Sequence, residues 1–225
     1  MKMKIASYNI HKAVGFDRRR SPERILSVVN ALSADVVVLQ EADMRLGARP
    51  TVLPRFLIEQ ETDFAIADVA ETDVSLGWHG NAVLVRRGLK IGSVDRIELP
   101  GLEPRGAVAV QVEGLTLIGT YLGLIRRWRQ LQMAAIRNWL GDHAGRALVI
   151  GDFNEWSTRS GFEPWHGHLT VRAPARSFPA IRPIAMLDRF AHGPQVRILD
   201  TGIETRRPAH IASDHLPLWV VVKVM

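Results

Sequence analysis

The 225-residue chain has no cysteine. That excludes disulfides, thiolate metal sites and cysteine nucleophilic catalysis. No apolar run approaches the length a membrane-crossing helix needs, and Met1 to Ser7, with two lysines, alternates like a strand instead of running through an apolar signal region. Internal repeats, low-complexity tracts and a linker-like break in composition are missing too. The expectation is one domain over residues 1–225, soluble, cytoplasmic and monomeric.

What is present is an ordinary globular composition, 47% hydrophobic and 23% charged, with a net charge of +6 and a pI near 10.3. The excess is mostly arginine, grouped at Arg18 to Arg20, Arg126 to Arg129 and Arg206 to Arg207. Such a balance suits a phosphate-bearing partner, nucleic acid or an anionic lipid surface. A solvated basic face is the plainer alternative for any one cluster.

The stretch Leu148 to Trp156 organises the rest. Leu148, Val149 and Ile150 read as a buried strand, stopped at Gly151 and followed by Asp152 and Asn154, two residues apart and so projecting the same way. An Asp-x-Asn turn would look the same. Three other apolar strands, Lys4 to Asn9, Val36 to Glu41 and Ile118 to Tyr121, also end on a polar group, and Ser213, Asp214 and His215 precede the last strand. Strand-end loops are where rigid scaffolds carry chemistry, so these coincidences favour one composite site.

Along the chain, Ser21-Pro22 opens a helix carrying Ile25, Val28, Val29 and Leu32, and the apolar run that opens Val36 to Gln40 implies a strand buried on both faces, with Glu41 directly at its end. Residues 45–60 read as loop and irregular helix, followed by strands at Phe64 to Asp68, Ala82 to Val85, Ile91 to Leu99, Ala107 to Val112 and Leu115 to Tyr121. Glu113-Gly114 makes a tight hairpin turn. Arg126 to Leu140 is a second helix with Trp128, Leu131, Ala135 and Trp139 as its core stripe. Ser157 to Ala185 reads as a surface excursion, and Met186 to Phe190, Val196 to Thr201 and Leu216 to Val224 as closing strands. Strands outnumber helices, which favours packed sheets flanked by helices over a simple alternating parallel sheet.

The strand-end groups Asn9, Glu41, Tyr121, Asp152, Asn154, Asp188, Asp214 and His215 are oxygen donors with one imidazole. Without a His-rich or Cys-rich cluster they suit a hard cation, and Glu41 is the best single ligand candidate. Asp214 and His215 are neighbours and face opposite ways, so another acid must orient the imidazole, and Asp188 is the candidate. Asn81, Arg105, Arg126 and Arg127 follow or open strands and are expected to rim the cleft and hold a substrate phosphate. For Arg126 and Arg127 the rival reading is the solvated start of a helix.

Ser7 to Ile10 (Ser-Tyr-Asn-Ile), Leu39 to Glu41, Gly80 to Ala82, Gly151 to Asn154, Leu187 to Arg189 and Ser213 to His215 together resemble the endonuclease/exonuclease/phosphatase superfamily, in its order and nearly end to end. The resemblance implies an α+β fold of the DNase I type, a four-layer sandwich with two mixed sheets face to face and helices outside. It implies a phosphoester hydrolase with Mg²⁺, or Mn²⁺ in its place, held by Glu41 with Asn9 and Asp214 in or near its shell. Asp152 would activate water, Asn154 would bind a phosphate oxygen, and His215, paired with Asp188, would contact the phosphate. Tyr121 stands where the sphingomyelinase and DNase branches have histidine, a feature shared with abasic-site endonucleases, whereas Gly123 to Arg127 and Glu103 to Gly106 look more like small bacterial members on the lipid-phosphodiesterase side. The substrate therefore stays open between nucleic acid and a phospholipid headgroup or sugar phosphate, and a catalytically inactive binding protein on the same fold is the rival class.

Overall fold

The computed structural model describes all 225 residues. In chain order the elements are β1 (Lys2–Asn9), α1 (Pro22–Ala31), β2 (Val36–Gln40), α2 (Arg55–Glu61), β3 (Phe64–Ile66), β4 (Ala82–Arg86), β5 (Ile91–Glu98), β6 (Gly106–Val112), β7 (Leu115–Tyr121), α3 (Arg126–Leu140), β8 (Ala147–Asp152), β9 (Thr170–Arg172), β10 (Asp188–His192), β11 (Val196–Ile203), α4 (Ala209–Ala212) and β12 (Leu218–Val224). They form two six-stranded sheets, ordered β11-β12-β1-β2-β4-β3 and β5-β6-β7-β8-β10-β9. Each sheet has one parallel pair near its centre, β1 with β2 and β7 with β8, crossed over by α1 and α3 respectively.

The period of two along each central strand builds three cores and hence four layers. Val36 and Val38 of β2 point between the sheets with Val108, Leu117, Leu148 and Ile150. Val37 and Leu39 point the other way, under Ile25, Leu26 and Val29 of α1 and Leu32 just after it. On the far side Val149 and Ile118 meet Met133, Ile136 and Leu140 of α3. Burial on both faces is why these strands read as unbroken apolar runs. The sheets approach so closely at Gly119 that a Cβ there would lie 2.4 Å from a methyl of Val38. The fold is the α+β sandwich that the sequence predicts.

Several local features match or depart from the sequence reading for definable reasons. Ser21 caps α1 by accepting the Arg24 N–H at 3.2 Å. Glu113 and Gly114 both have positive φ, 50° and 80°, as a two-residue hairpin turn between β6 and β7 requires. Residues 45–60, read as loop and irregular helix, hold the start of the regular helix α2. The strand expected to reach Asp68 ends at Ile66, and the one expected at Met186 to Phe190 runs instead from Asp188 to His192.

The core stripe of α3 is also shifted: Leu131 is exposed and Trp128 and Trp139 only half-buried, while Arg129, Gln132, Met133, Ile136 and Leu140 face inward. Two polar residues hold that face because their partners are buried with them: Arg129 pairs with Glu155 at 2.8 Å, and Gln132 accepts the Gly123 N–H at 2.8 Å. The supposed surface excursion from Ser157 carries β9 and the fully buried Trp165, whose indole N–H donates to the Met133 carbonyl at 2.8 Å.

Candidate active site

Pairing register places the polar strand ends before any side chain is considered. Asn9 is opposite Gln40 across β1 and β2, so Glu41 follows directly beside it. In the other sheet Asp152 is opposite both Tyr121 and Asp188. Ser7 pairs with Leu218, which leaves Ser213 to His215 in the loop entering β12 at the same edge. Ser213 is tied there by its hydroxyl, which donates to the Asn9 carbonyl at 2.7 Å.

Three side-chain hydrogen bonds then join the sheets across this edge. Asn9 donates its amide to Asp152 Oδ2 at 3.0 Å, Tyr121 donates its hydroxyl to Glu41 Oε1 at 2.7 Å, and His215 Nδ1 meets Asp188 Oδ2 at 2.8 Å. His215 Nε2 lies 3.7 Å from Asp152 Oδ2. One imidazole therefore stands between two buried carboxylates, with its outer nitrogen turned toward Asp152. Asp152 also accepts the Asn154 backbone N–H at 2.9 Å, and Asn154 adopts a left-handed φ of 50° that turns the chain back over the carboxylate. The Asn154 amide donates to the Leu122 carbonyl at 2.8 Å and retains a second N–H. Gly151 is obligatory, since a Cβ would lie 1.9 Å from the Thr120 carbonyl oxygen of the neighbouring strand.

Burial and charge set the protonation states. Desolvation, reinforced by nearby Asp188 and opposed by His215, pushes Asp152 up to about 6. Burial works against the charged imidazole of His215, but Asp188 and Asp152 outweigh it and push the ring up to about 10. Glu41 is desolvated as well, yet Lys12, Tyr121 and Arg45 hold its carboxyl below the usual range. Burial and the Glu41 charge raise Tyr121, which keeps the phenol a hydrogen-bond donor.

Of the residues expected at this site, Asn9, Glu41, Tyr121, Asp152, Asn154, Asp188 and His215 meet at one edge. Asp214 is beside them, 3.8 Å from His11 Nδ1 and partly exposed. Arg105 lies over the Tyr121 ring, 3.7 Å from its centroid, with its guanidinium 2.6 Å from Glu103. Asn81 is fully buried and its amide is committed to the Trp78 and Gly106 carbonyls. Arg126 pairs with Glu163 at 3.0 Å and Arg127 lies over Trp128, and neither bonds to the cluster.

Four further residues contribute to the edge without standing at a strand end. Lys12 ion-pairs with Glu41 Oε2, Arg45 reaches Glu41 Oε1 at 3.4 Å and the Tyr121 hydroxyl at 3.2 Å, Ser177 donates to Asp188 Oδ2, and the Phe178 ring lies 4.8 Å from that of His215. Arg45, four residues after Glu41, is the one with a signal in the spacing. Lys12 depends on a left-handed turn directly after β1, and Ser177 and Phe178 on the connection between β9 and β10.

The donor set suits a hard divalent cation. No three Asp, Glu or His side chains converge into an all-protein cage. A Mg²⁺ site needs only one or two carboxylates, since the ion keeps most of its waters. Glu41 draws a cation to each of its two oxygens, Lys12 and Arg45, which marks it as the most cation-demanding carboxylate of the edge.

A fold of two mixed sheets with an Asn, Glu, Asp, Asp and His set at one edge defines a class. The Endonuclease/Exonuclease/phosphatase family model matches residues 6–215, and the chain belongs to that family. It is 28% identical to the uncharacterized protein YbhP of Escherichia coli over 96% of this chain and 94% of that one. Among solved structures, the endonuclease/exonuclease/phosphatase from Bacteroides vulgatus superposes with a TM-score of 0.78 at 15% identity, covering 100% of both chains. D. rerio TDP2 complexed with single-strand DNA product superposes at 0.72 and 16% identity, covering 99% of both.

Proposed function

We propose that the chain is a divalent-metal-dependent phosphodiesterase that hydrolyses its substrate by in-line attack of water on phosphorus. The observation that carries this reading is the His215 imidazole, clamped by Asp188 and facing Asp152 across a gap of 3.7 Å. Asp152, held by Asn9 and Asn154, takes a proton from water as the new P–O bond forms and the leaving oxygen departs. His215, held protonated by Asp188, donates from Nε2 to a phosphoryl oxygen and stabilises its growing charge. The free N–H of Asn154 is placed to do the same. Glu41 with Asn9 and Asp214 would hold Mg²⁺ or Mn²⁺, and the bound ion would neutralise charge on the phosphoryl and leaving oxygens. A binding protein would have no use for this paired imidazole and buried carboxylate, which argues against an inactive member.

For substrate we favour a nucleic-acid phosphodiester. Trp156 is 60% exposed with its ring 6.2 Å from that of Phe178, which in turn neighbours His215, and such aromatic surface beside the reacting groups suits base stacking. The excess positive charge and the DNA-bound TDP2 relative support the same choice. The test is cleavage of bis-p-nitrophenyl phosphate and of a single-stranded oligonucleotide, with Mg²⁺ and with chelator. Turnover is expected to need the metal and to fall by about a hundredfold or more in Asp152→Asn. Turnover near wild type in that variant would remove Asp152 from the mechanism, and cleavage of phospholipid headgroups alone would move the substrate to lipid.

A further inference from the structure

His11, Lys12 and Ala13 occupy the turn after β1 with three successive positive φ values, 46°, 53° and 59°, and none of them is glycine. Non-glycine residues seldom adopt this region singly, and strained runs persist where the surroundings over-determine them, commonly at functional sites. The clamp is the Asn9 side chain, whose Oδ1 accepts the His11 N–H at 3.1 Å while its amide is held by Asp152. Its effect is to aim Lys12 across the cleft edge at Glu41, itself at a φ of 56°. Lys12 ion-pairs with no other carboxylate, and its side chain is one-quarter exposed.

Both oxygens of Glu41 are thus engaged, Oε1 by the Tyr121 hydroxyl and Oε2 by the Lys12 ammonium, with the more exposed Arg45 as a looser partner. A divalent ion bound by Glu41 needs a carboxylate oxygen at about 2.0–2.1 Å. An ammonium on the same oxygen would stand against it as a like charge. We propose that Lys12 is an exchangeable cation of the site: a divalent metal binds Glu41 by displacing the ammonium, and the displaced ammonium is handed to a phosphate oxygen of the substrate. The inference rests on the reading of Glu41 as metal ligand. Lysine suits the exchange, being a compact point charge on a flexible stem. Metal and phosphate then favour each other's binding, and by linkage the favour is equal in both directions.

Calorimetric titration of Mg²⁺ into wild type, Lys12→Met, Lys12→Gln and Glu41→Gln, with and without inorganic phosphate, tests this without turnover. Removing the competitor should tighten Mg²⁺ binding about tenfold, because the binding-competent Glu41 is no longer a minor form. Phosphate should tighten Mg²⁺ binding in wild type and much less in either Lys12 variant. Equal or weaker Mg²⁺ binding by both Lys12 variants, or undiminished coupling to phosphate, would overturn the exchange and leave the metal site standing. Mg²⁺ binding by Glu41→Gln at wild-type affinity would instead overturn the metal site, and the exchange with it. Thermal unfolding of each variant separates these outcomes from a loss of structure, since a purely structural lysine would lower the midpoint without tightening the metal.

Discussion

Asp188 carries two hydrogen bonds on one oxygen, from Ser177 and His215, while its other oxygen is buried without a partner. That concentration of charge on the imidazole side has a pH signature. Asp152, pushed up to about 6, is ionised only above that pH, and His215, pushed up to about 10, stays protonated below its own value. Activity is therefore expected to rise through about pH 6 and fall through about pH 10, read from kcat/KM at saturating Mg²⁺. In Asp188→Asn the largest influence raising His215 is gone, so the alkaline limb should move down, and an unmoved limb would detach it from His215. The stability sign follows. The raised His215 stabilises the fold fully below its ordinary 6.5, and that contribution fades as pH climbs through about 10. Most of the edge was legible in the sequence because Asn9, Glu41, Tyr121, Asp152 and Asp188 end or follow apolar strands, a pattern that needs no tertiary knowledge. Lys12 and Ser177 were not, since the first depends on a left-handed turn and the second on the connection between β9 and β10. Arg126 and Arg127 were legible only as charges, and the helix carries them to Glu163 and Trp128.

Among elements, α3 does more than cover a sheet. Arg129 donates to the Gly123 and Leu124 carbonyls and to Glu155, so it pins the loop after β7 to the loop after β8, behind Asp152 and Asn154. Both members of the pair are more than nine-tenths buried. Arg129→Leu should cost about 3–5 kcal/mol, because Glu155 is left as an uncompensated buried charge. Adding Glu155→Leu should recover much of that loss, since a buried pair is often no better than apolar packing. Urea unfolding of the single and double variants measures both. This arrangement also explains the shifted helix stripe: periodicity counts apolar residues, and here an arginine and a glutamine hold inward positions that their buried partners alone make tolerable. Strands β2 and β7, by contrast, begin and end where the sequence indicated, as fully buried runs bounded by polar groups must.

At the scale of the whole molecule the net charge is +6, and Arg18, Arg19 and Arg20 are exposed on the turn that leads from the site to α1. Arg18 shares a cavity of about 350 Å³ with Phe16, Phe178, Pro179 and Asp214. If a nucleic-acid strand is the substrate, its affinity should fall steeply with salt, and Arg18→Gln/Arg19→Gln/Arg20→Gln should flatten the slope by up to about 0.7 for each phosphate that is no longer neutralised. Fluorescence anisotropy of a labelled oligonucleotide across a salt series reads the slope. An unchanged slope in the triple variant would place the strand elsewhere on the surface.

The three hydrogen bonds that close the edge each run from one sheet to the other. The site therefore behaves like the jaws of a caliper whose opening is fixed by the spacer between its arms, and that spacer is the layer of valine, leucine and isoleucine between the sheets. Close-packed interiors yield little, so thickening the spacer must open the jaws. Gly119, where the arms come close enough to touch, is the adjusting screw: Gly119→Ala would press on Val38 from across the sandwich and should lower turnover far more than a surface substitution of equal size, with Val38→Ala restoring it by giving the methyl room. Steady-state kinetics of the single and paired variants would show the bite of the enzyme being set by two residues that never meet its substrate.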